Sequence, residues 1–382
     1  MKVLVINAGS SSVKLRIVDR ADQLVASRDL GPPDDHMADQ LGDFLADTAT
    51  IDVVGHRVVH GGSRFTHAVL VDDGVRQELT SLNELAPLHN PPALAGIDAV
   101  GRLLVGVPQV ACFDTGFHAS LPPAATTYAV PADWVARWGI RRYGFHGISC
   151  AWAAHRSAEL LGVPANRLRL VICHLGAGAS ASALRGGHSA DTTMGFTPLE
   201  GLVMATRCGD LDPGALLFVL EHGLATAEAS DDLEHRAGLL GISGGASADM
   251  RQLLAARAAG DEPARLAIAV YLHRLRAKIA AMAAATTGTD ALVFTGGVGE
   301  GSGAIRAETC TDLDWLGVRL DREANDAVED TDAEISAPGA LVRTVVVHAR
   351  EDLQIARECR QLLGLGQPAI DQGSALGRKV GR

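Results

Sequence analysis

Residues 168–184 read LRLVICHLGAGASASAL. Four apolar side chains, Leu168, Leu170, Val171 and Ile172, lead into a polar, glycine-bearing corner at 174–180. A run of small residues, 181–184, follows and stops at a second turn, Arg185-Gly186-Gly187. The pattern predicts strand, turn, strand. Glycines at such a corner let backbone N–H groups face outward and come close to an anion. The amino terminus repeats the theme. In VLVINAGSSSVKLRIVD, residues 3–19, an apolar run at 3–6 meets a corner at 7–12, and Val13, Leu15 and Ile17 then alternate with polar residues. Two such hairpins, opening the two halves of one chain, predict a duplicated α/β fold that holds phosphate between its copies.

At 382 residues the chain exceeds the roughly 250–300 at which a single core stops growing, so two domains are expected. It is 47% hydrophobic and 21% charged, a globular composition. A net charge of −11 argues against nucleic acid or an anionic membrane surface as partner. An anionic substrate must then be met by a local group of arginines. There are only four lysines, so Lys14 beside the first glycine-serine corner stands out. The six cysteines show no CxxC spacing, which suits reduced thiols in a cytoplasm. Charged and polar residues interrupt the amino terminus too early for a signal peptide, and no uncharged apolar run is long enough to span a membrane.

Along the chain, residues 19–50 read as polar and helical. IDVVGHRVVHGGSRF (51–65) is an apolar strand carrying Arg57 between His56 and His60. An arginine among valines is costly to bury unless it meets an anion, either a ligand or a carboxylate of the protein. The two histidines lack a third partner for a metal. Asn90 reads as the N-cap of a helix with proline in its first turn, and His89 before it either touches an anion or closes the turn. PQVACFD (108–114) is a buried strand ending in Asp114, which faces a cleft or caps a helix. A change of domain is placed near 119–135. Ser149 reads as the cap of a helix over 151–161 that stops at Gly162. Residues 241–251, GISGGASADMR, read as a loop, and 263–286 as a long helix with an apolar stripe. ALVFTGGVGEGSG (291–303) reads as a strand and a multi-glycine turn with a helix from about 304. A last strand at 345–347 precedes a closing helix to about 364, and the remainder reads as disordered.

Three glycine-rich corners, 7–12, 174–180 and 296–301, each follow an apolar strand, which makes the phosphates of a nucleotide the natural ligand. No GxxxxGK[ST] occurs, so this is not a P-loop protein. GAGASA (176–181) matches a dinucleotide fingerprint, but small-residue strand follows it where a helix is required. GISGG (241–245) matches GxSxG, yet lacks the apolar strand that a nucleophile elbow needs.

These motifs, in this order, resemble the acetate kinase family, within the superfamily of acetate and sugar kinases, heat-shock ATPases and actin. The resemblance runs from residue 1 to about 362 through NAGSSSVK, GHRVVHGG, PLHNPP, FDTGFH, RRYGFHGIS, HLGAGAS, GFTPLEGL, TRCGDLDP, GISGGASADMR, FTGGVGE and HAREDLQIA. It implies an α/β fold of two ribonuclease-H-like (actin-like ATPase) domains flanking a nucleotide and substrate cleft. The first domain would be 1–117 plus 353–365 and the second 118–352, with 366–382 a disordered tail. It implies reversible transfer of the ATP γ-phosphoryl group to acetate, giving acetyl phosphate and ADP; the alternatives are a kinase for propionate or another short-chain carboxylate, or a nucleotide-binding member with weak turnover. Also implied are Mg²⁺ or Mn²⁺ as cofactor and a cytoplasmic homodimer.

Position by position, the resemblance assigns catalysis to Asp114, Arg57, Arg207 and His146. Asn7, Ser10, Ser12, Lys14, His174, Gly176 and Gly178 fall at the phosphates, and Asp249, Met250, Arg251, Gly296, Gly297 and Gly299 at the rest of the nucleotide. Arg57, Val59, Leu88 and Pro198 make the acid's pocket, and Asn7 and Glu351 the metal site. A carboxylate acceptor is already ionised at neutral pH, so alignment and charge neutralisation are the main catalytic needs. The chain departs from the family pattern at Ala177 and Gly301, where asparagine is usual. It departs again at AREDL (349–353), which places Arg350 beside Glu351, and in a shorter 19–50 region.

Overall fold

The computed structural model describes residues 1–9, 12–32, 36–46, 50–87 and 89–364. The tail expected to be disordered, 366–382, lies outside the described residues. Six strands form a first sheet: β1 (Val3–Ala8), β2 (Val13–Val18), β3 (Leu24–Leu30), β4 (Val53–Val58), β5 (Val69–Leu70) and β6 (Gln109–Phe113). A second sheet holds β7 (Arg169–Leu175), β8 (Ala179–Arg185), β9 (His188–Thr192), β10 (Ala291–Thr295), β11 (Ala333–Glu334) and β12 (Arg343–Val346). Their orders are β3-β2-β1-β4-β6-β5 and, read from its far edge, β9-β8-β7-β10-β12-β11. In each, an antiparallel three-strand meander is followed by two strands parallel to its first, and an antiparallel edge strand closes the sheet. The duplication expected from the two hairpins is thus present strand for strand, as two ribonuclease-H-like halves.

The central strands are unbroken apolar runs because both their faces are covered: Val3, Leu4 and Val5 in β1 and Leu292, Val293 and Phe294 in β10 are wholly buried. The helices used below are α1 (Met37–Ala46), α2 (Asn90–Leu103), α3 (Ala132–Trp138), α4 (Gly147–Leu161), α5 (Pro213–Glu221), α6 (Met250–Ala258), α7 (Glu262–Ala285), α8 (Gly296–Gly301) and α9 (Glu351–Leu362).

Several expectations are corrected. Residues 24–30 are strand β3, not helix, and among the described residues between 19 and 50 only α1 is helical. β3 pairs on one side with β2; Ala26, Arg28 and Leu30 are half-buried between exposed Ser27 and Asp29, while Leu24 and Val25 are exposed, so charge on the inner face and apolar residues outside it hide the strand in the sequence. The multi-glycine turn at 296–301 is α8. Gly296 makes the turn off β10 with φ +79°, where an added Cβ would lie 2.8 Å from the Leu175 carbonyl oxygen. The loop expected over 241–251 is partly helical, with one turn at Gly238–Ile242 and α6 beginning at Met250. Ser149 caps nothing: α4 starts earlier, from His146 in the left-handed region at φ +57°. Asn90 lies inside α2 and binds His60 instead, accepting from its N–H at 3.1 Å and donating to its carbonyl at 3.0 Å.

The halves are joined by two exchanged helices. The chain leaves β6 and builds α4, which packs on β7 and β10 of the second sheet; it leaves β12 and builds α9, which packs on β1 and β4 of the first. The two helices also pack on each other, so Val5, Val53, Ile148, Trp152, Ile172, Val293 and Ile355 share one core. β4 meets α9 at Gly55, where a Cβ would stand 2.5 Å from Ile355 Cγ2 and 2.8 Å from Cys359 Sγ. Gly55→Ala should therefore force α9 off the sheet at a cost of about 1–3 kcal/mol, the usual penalty of overpacking. Urea denaturation reads the loss directly, and an unchanged midpoint would show that α9 yields freely there.

Candidate active site

Asn7 near the end of β1, Arg57 in β4 and Asp114 just past β6 come together because parallel strands present their carboxyl ends on one side. Glu351, the first residue of α9, completes the group. Arg57 donates to Asp114 Oδ2 from Nε (3.1 Å) and Nη2 (2.6 Å), and from Nη1 to Asn7 Oδ1 at 3.1 Å. Asn7 Nδ2 in turn donates to Glu351 Oε2 at 2.6 Å. Asp114 is wholly buried, and among the described residues its Oδ1 has no hydrogen-bond partner. Burial pushes its carboxyl above the usual range against the pull of Arg57. Burial also opposes the charge on Glu351, but Arg57, His174 and the Asn7 amide outweigh it and lower that carboxyl. Arg57 stays charged, since Asp114 and Glu351 together overcome its own desolvation.

The second half supplies the opposite wall. The corner between β7 and β8 is closed by Gly176 N–H donating to the Gly178 carbonyl at 3.0 Å. Against it stand two stacked imidazoles, His146 and His174, with centroids 4.2 Å apart. Burial lowers the pKa of both; in His146 the neighbouring His174, Arg57 and Arg207 lower it further. Both rings are therefore neutral near pH 7. A Cβ on Gly178 would lie 3.4 Å from His146 Nε2 and 3.5 Å from Arg207 Nη1, so the glycine leaves both nitrogens open to whatever occupies the corner. Among the described residues, the Arg207 side chain hydrogen-bonds only to the Pro198 carbonyl and His89 Nε2, each at 3.4 Å, and makes no salt bridge. Burial depresses it, with only Glu234 opposing. It is a largely buried cation lacking a carboxylate. His89 beside it is held neutral by burial and by the two arginines, its pKa falling to about 4.

These groups line a cavity of about 450 Å³, with Ser12, Lys14, Val59, Phe145, Ala177 and Pro198 also on its wall. A second hollow of about 700 Å³ shares Asn7, Lys14, His174 and Glu351 with it and extends to Gly296, Gly297 and Arg350. A further hollow of about 760 Å³ between Phe117, Ile148 and Glu358 holds none of the residues expected of the site.

The structure thus brings together Asn7, Ser12, Lys14, Arg57, Val59, Asp114, His146, His174, Gly176, Gly178, Pro198, Arg207, Gly296, Gly297 and Glu351. Ser10 and Leu88 lie outside the described residues. Asp249, Met250 and Arg251 line neither hollow. Asp249 caps α6, accepting from the Arg251 and Gln252 N–H groups, and the exposed Arg251 side chain folds back on it. Met250 is buried with Leu253, Ile268 and Leu272 in the apolar core of the second half, and Gly299 is buried in α8, where its carbonyl accepts from Arg306 at 2.9 Å. Arg350 pairs with Asp352 at 3.2 Å and leaves Glu351 free to face the cleft.

Sequence reasoning missed the supports. Glu300 ties two strand ends, accepting from Gly296 N–H (2.6 Å) and Ala349 N–H (2.9 Å). Glu200 is held by Tyr128 and by Arg142 (2.7 Å), and Arg142 also binds the carbonyls of Thr193 and Met194, fixing the loop that carries Pro198. These acids lie in motifs flagged for their glycines and prolines, and only the partners, distant in sequence, reveal their role.

The sequence model of the acetokinase family matches residues 34–357. An acetate kinase of Thermotoga maritima is 41% identical over 398 residues, covering 95% of this chain and 99% of that protein. Among solved structures, Porphyromonas gingivalis acetate kinase superimposes with a TM-score of 0.87 at 36% identity, covering 95% of this chain and 99% of the other. A propionate kinase from Francisella tularensis gives 0.86 at 33%, covering 94% and 98%. With this coverage, and with its glycine corners and arginines converging on one cleft, the chain belongs to the acetokinase family.

Proposed function

We propose that this protein is an acetate kinase, transferring the γ-phosphoryl group of ATP reversibly to acetate to give acetyl phosphate and ADP. The observation that carries the reading is Arg207, a largely buried cation with no carboxylate bonded to it among the described residues, sharing with Arg57 a cavity that has an apolar wall. That combination suits a small acid whose carboxylate meets the arginines and whose methyl meets Val59, Phe145 and Pro198. The acceptor needs no strong base. Arg57, with its fork fixed by Asp114, together with Arg207 and the imidazole of His146, then stabilises charge spreading over the phosphoryl oxygens. The phosphates would lie against the corners near Ser12, Lys14, Gly176 and Gly178, and the rest of the nucleotide toward Gly296 and Gly297. Asp249, Met250, Arg251, Gly299, Ser10 and Leu88 stay in the proposal through the resemblance alone.

Glu351 and the Asn7 amide supply the hard oxygen chemistry that Mg²⁺ or Mn²⁺ prefers. Because Asn7 Oδ1 accepts from Arg57 and its Nδ2 donates to Glu351, Glu351 is the better ligand and Asn7 its holder. When bound, the metal would neutralise charge on the ATP phosphates. The division into 1–117 plus 353–365 and 118–352 places α9 with the sheet it covers. All six thiols are free, which suits a reducing cytoplasm.

A coupled ADP-release assay with acetate, propionate and butyrate tests the substrate. Acetate should have the highest kcat/KM, though one methylene in a pocket is worth only about 1–3 kcal/mol. Val59→Ala should improve propionate relative to acetate. Preference for propionate in the unmodified protein would move the assignment to a propionate kinase, and nucleotide binding without turnover of any acid would end the kinase reading.

The two arginines should separate. Arg207→Ala should lower kcat by about 10³-fold or more with little change in ATP Kd or Tm, and lysine should restore only part. Arg57→Ala should lose activity and also stability, by about 3–5 kcal/mol, because it strands the buried Asp114 carboxylate. Equal melting of the two variants would contradict this division.

A homodimer is also part of the reading. Among the described residues, α3 and α5 have no buried side chain, yet they expose Trp134 and Trp138 and Leu217 and Phe218. Exposed apolar faces of this kind mark association surfaces. Light scattering should give twice the chain mass, and Phe218→Glu with Leu217→Glu should yield monomer; a monomeric parent would discard the dimer.

A further inference from the structure

Building on the kinase reading, we infer that Ser149 and Ser180 are positioning residues that hold His174 and His146 as Nε2–H donors toward the phosphoryl groups. The arrangement is reciprocal. Helix α4 begins after His146 and carries Ser149 in its first turn; the β7–β8 hairpin carries His174 and, directly opposite it in register, Ser180. The Ser180 hydroxyl lies 3.1 Å from His146 Nδ1, and the Ser149 hydroxyl 2.8 Å from His174 Nδ1. Each element therefore supplies one imidazole and the serine behind the other's.

Both serines are wholly buried. Among the described residues, each hydroxyl has this one hydrogen-bond partner. If Nδ1 carried the ring proton, the hydroxyl proton would be buried without an acceptor, which is unfavourable. The hydroxyls therefore donate to Nδ1, and each neutral ring carries its proton on Nε2. Those Nε2 atoms face the glycines of the corner: a Cβ on Gly176 would lie 3.7 Å from His174 Nε2, and one on Gly178 would lie 3.4 Å from His146 Nε2. Two N–H donors, stacked 4.2 Å apart, are thus presented side by side where the phosphates would sit. The geometry is fixed from behind, so neither ring has to reorient during transfer.

The test combines ¹⁵N-histidine NMR, which reads the tautomer without turnover, with steady-state kinetics on Ser180→Ala, Ser149→Ala and Ser180→Thr. In the unmodified protein at neutral pH, both rings should be Nε2–H. Ser180→Ala should leave His146 a mixture of tautomers and lower kcat about tenfold or more, the loss of one well-placed hydrogen bond, with ATP Kd unchanged. Ser180→Thr, which keeps the hydroxyl, should restore the tautomer and part of the rate. Ser149→Ala sits on a helix, where alanine is favoured, and makes the same test at His174 if the strand position tolerates no change. An Nδ1–H ring in the parent would overturn the inference. So would a variant whose kcat falls with its tautomer unchanged, or whose tautomer changes with kcat intact. Failure of the parent to phosphorylate any acid would instead reject the kinase reading and leave the NMR result standing by itself.

Discussion

The Arg57–Asp114 pair is the interaction on which the cleft depends. Asp114 is wholly buried, and the one carboxyl oxygen with a side-chain partner among the described residues takes both bonds of the arginine fork, so its charge rests chiefly on Arg57. A buried pair of this kind contributes little net stability, since desolvation offsets attraction. Its consequence is geometric. Two of the three guanidinium nitrogens are spent on Asp114, and the third points along the strand ends to Asn7, which hands the alignment on to Glu351. One carboxylate at the end of β6 thereby fixes an arginine, an amide and a second carboxylate drawn from three other elements.

The exchanged helices extend that logic to the whole molecule. Gly147 N–H donates to the Asp114 carbonyl at 2.9 Å, and a Cβ there would lie 2.2 Å from that oxygen, so α4 begins hard against the end of β6. His146 is consequently delivered to the cleft by the first half's last strand, although the helix behind it packs on the second sheet. α9 does the converse with Glu351. Any rotation of one half against the other must move both helices, and each carries a residue of the site at its amino end.

The sequence made the architecture readable because the information was local: apolar runs of four to six residues ending in glycine-serine corners, twice, at matching places. The converging arginines and Asp114 were legible as oddities, charges where strand composition demands valine. What escaped had no local signature. Edge strand β3 half-buries Ala26, Arg28 and Leu30 on one face, and the arginine among them blurs the apolar alternation. Ser149 and Asn90 looked like helix caps because serine and asparagine usually are, but each is drawn off by a histidine far away in the chain, His174 and His60. α8 reads as a turn by its four glycines (Gly296, Gly297, Gly299, Gly301), yet Glu300 closes back on the Gly296 amide and Arg306 gathers the carbonyls of Gly299 and Glu300. In each case a tertiary partner overrides local propensity, and the partner cannot be found by spacing.

The charge balance of the cleft explains why neutral imidazoles belong beside the arginines. Lys14, Arg57 and Arg207 on its wall face Asp114, Glu234 and Glu351, so the fixed charges nearly cancel in a chain whose net charge is −11. A cleft so balanced does not hold a polyphosphate by bulk attraction. Two further cations in place of neutral His146 and His174 would bind substrate, transition state and product phosphate alike, which strengthens binding without raising turnover. Neutral N–H donors act differently, because their contribution depends on direction and grows as negative charge accumulates on the oxygens they face. Burial, which lowers both ring pKa values, is thus a condition for selective stabilisation of the transferring group. The exchanged helix and hairpin meet where that burial is achieved.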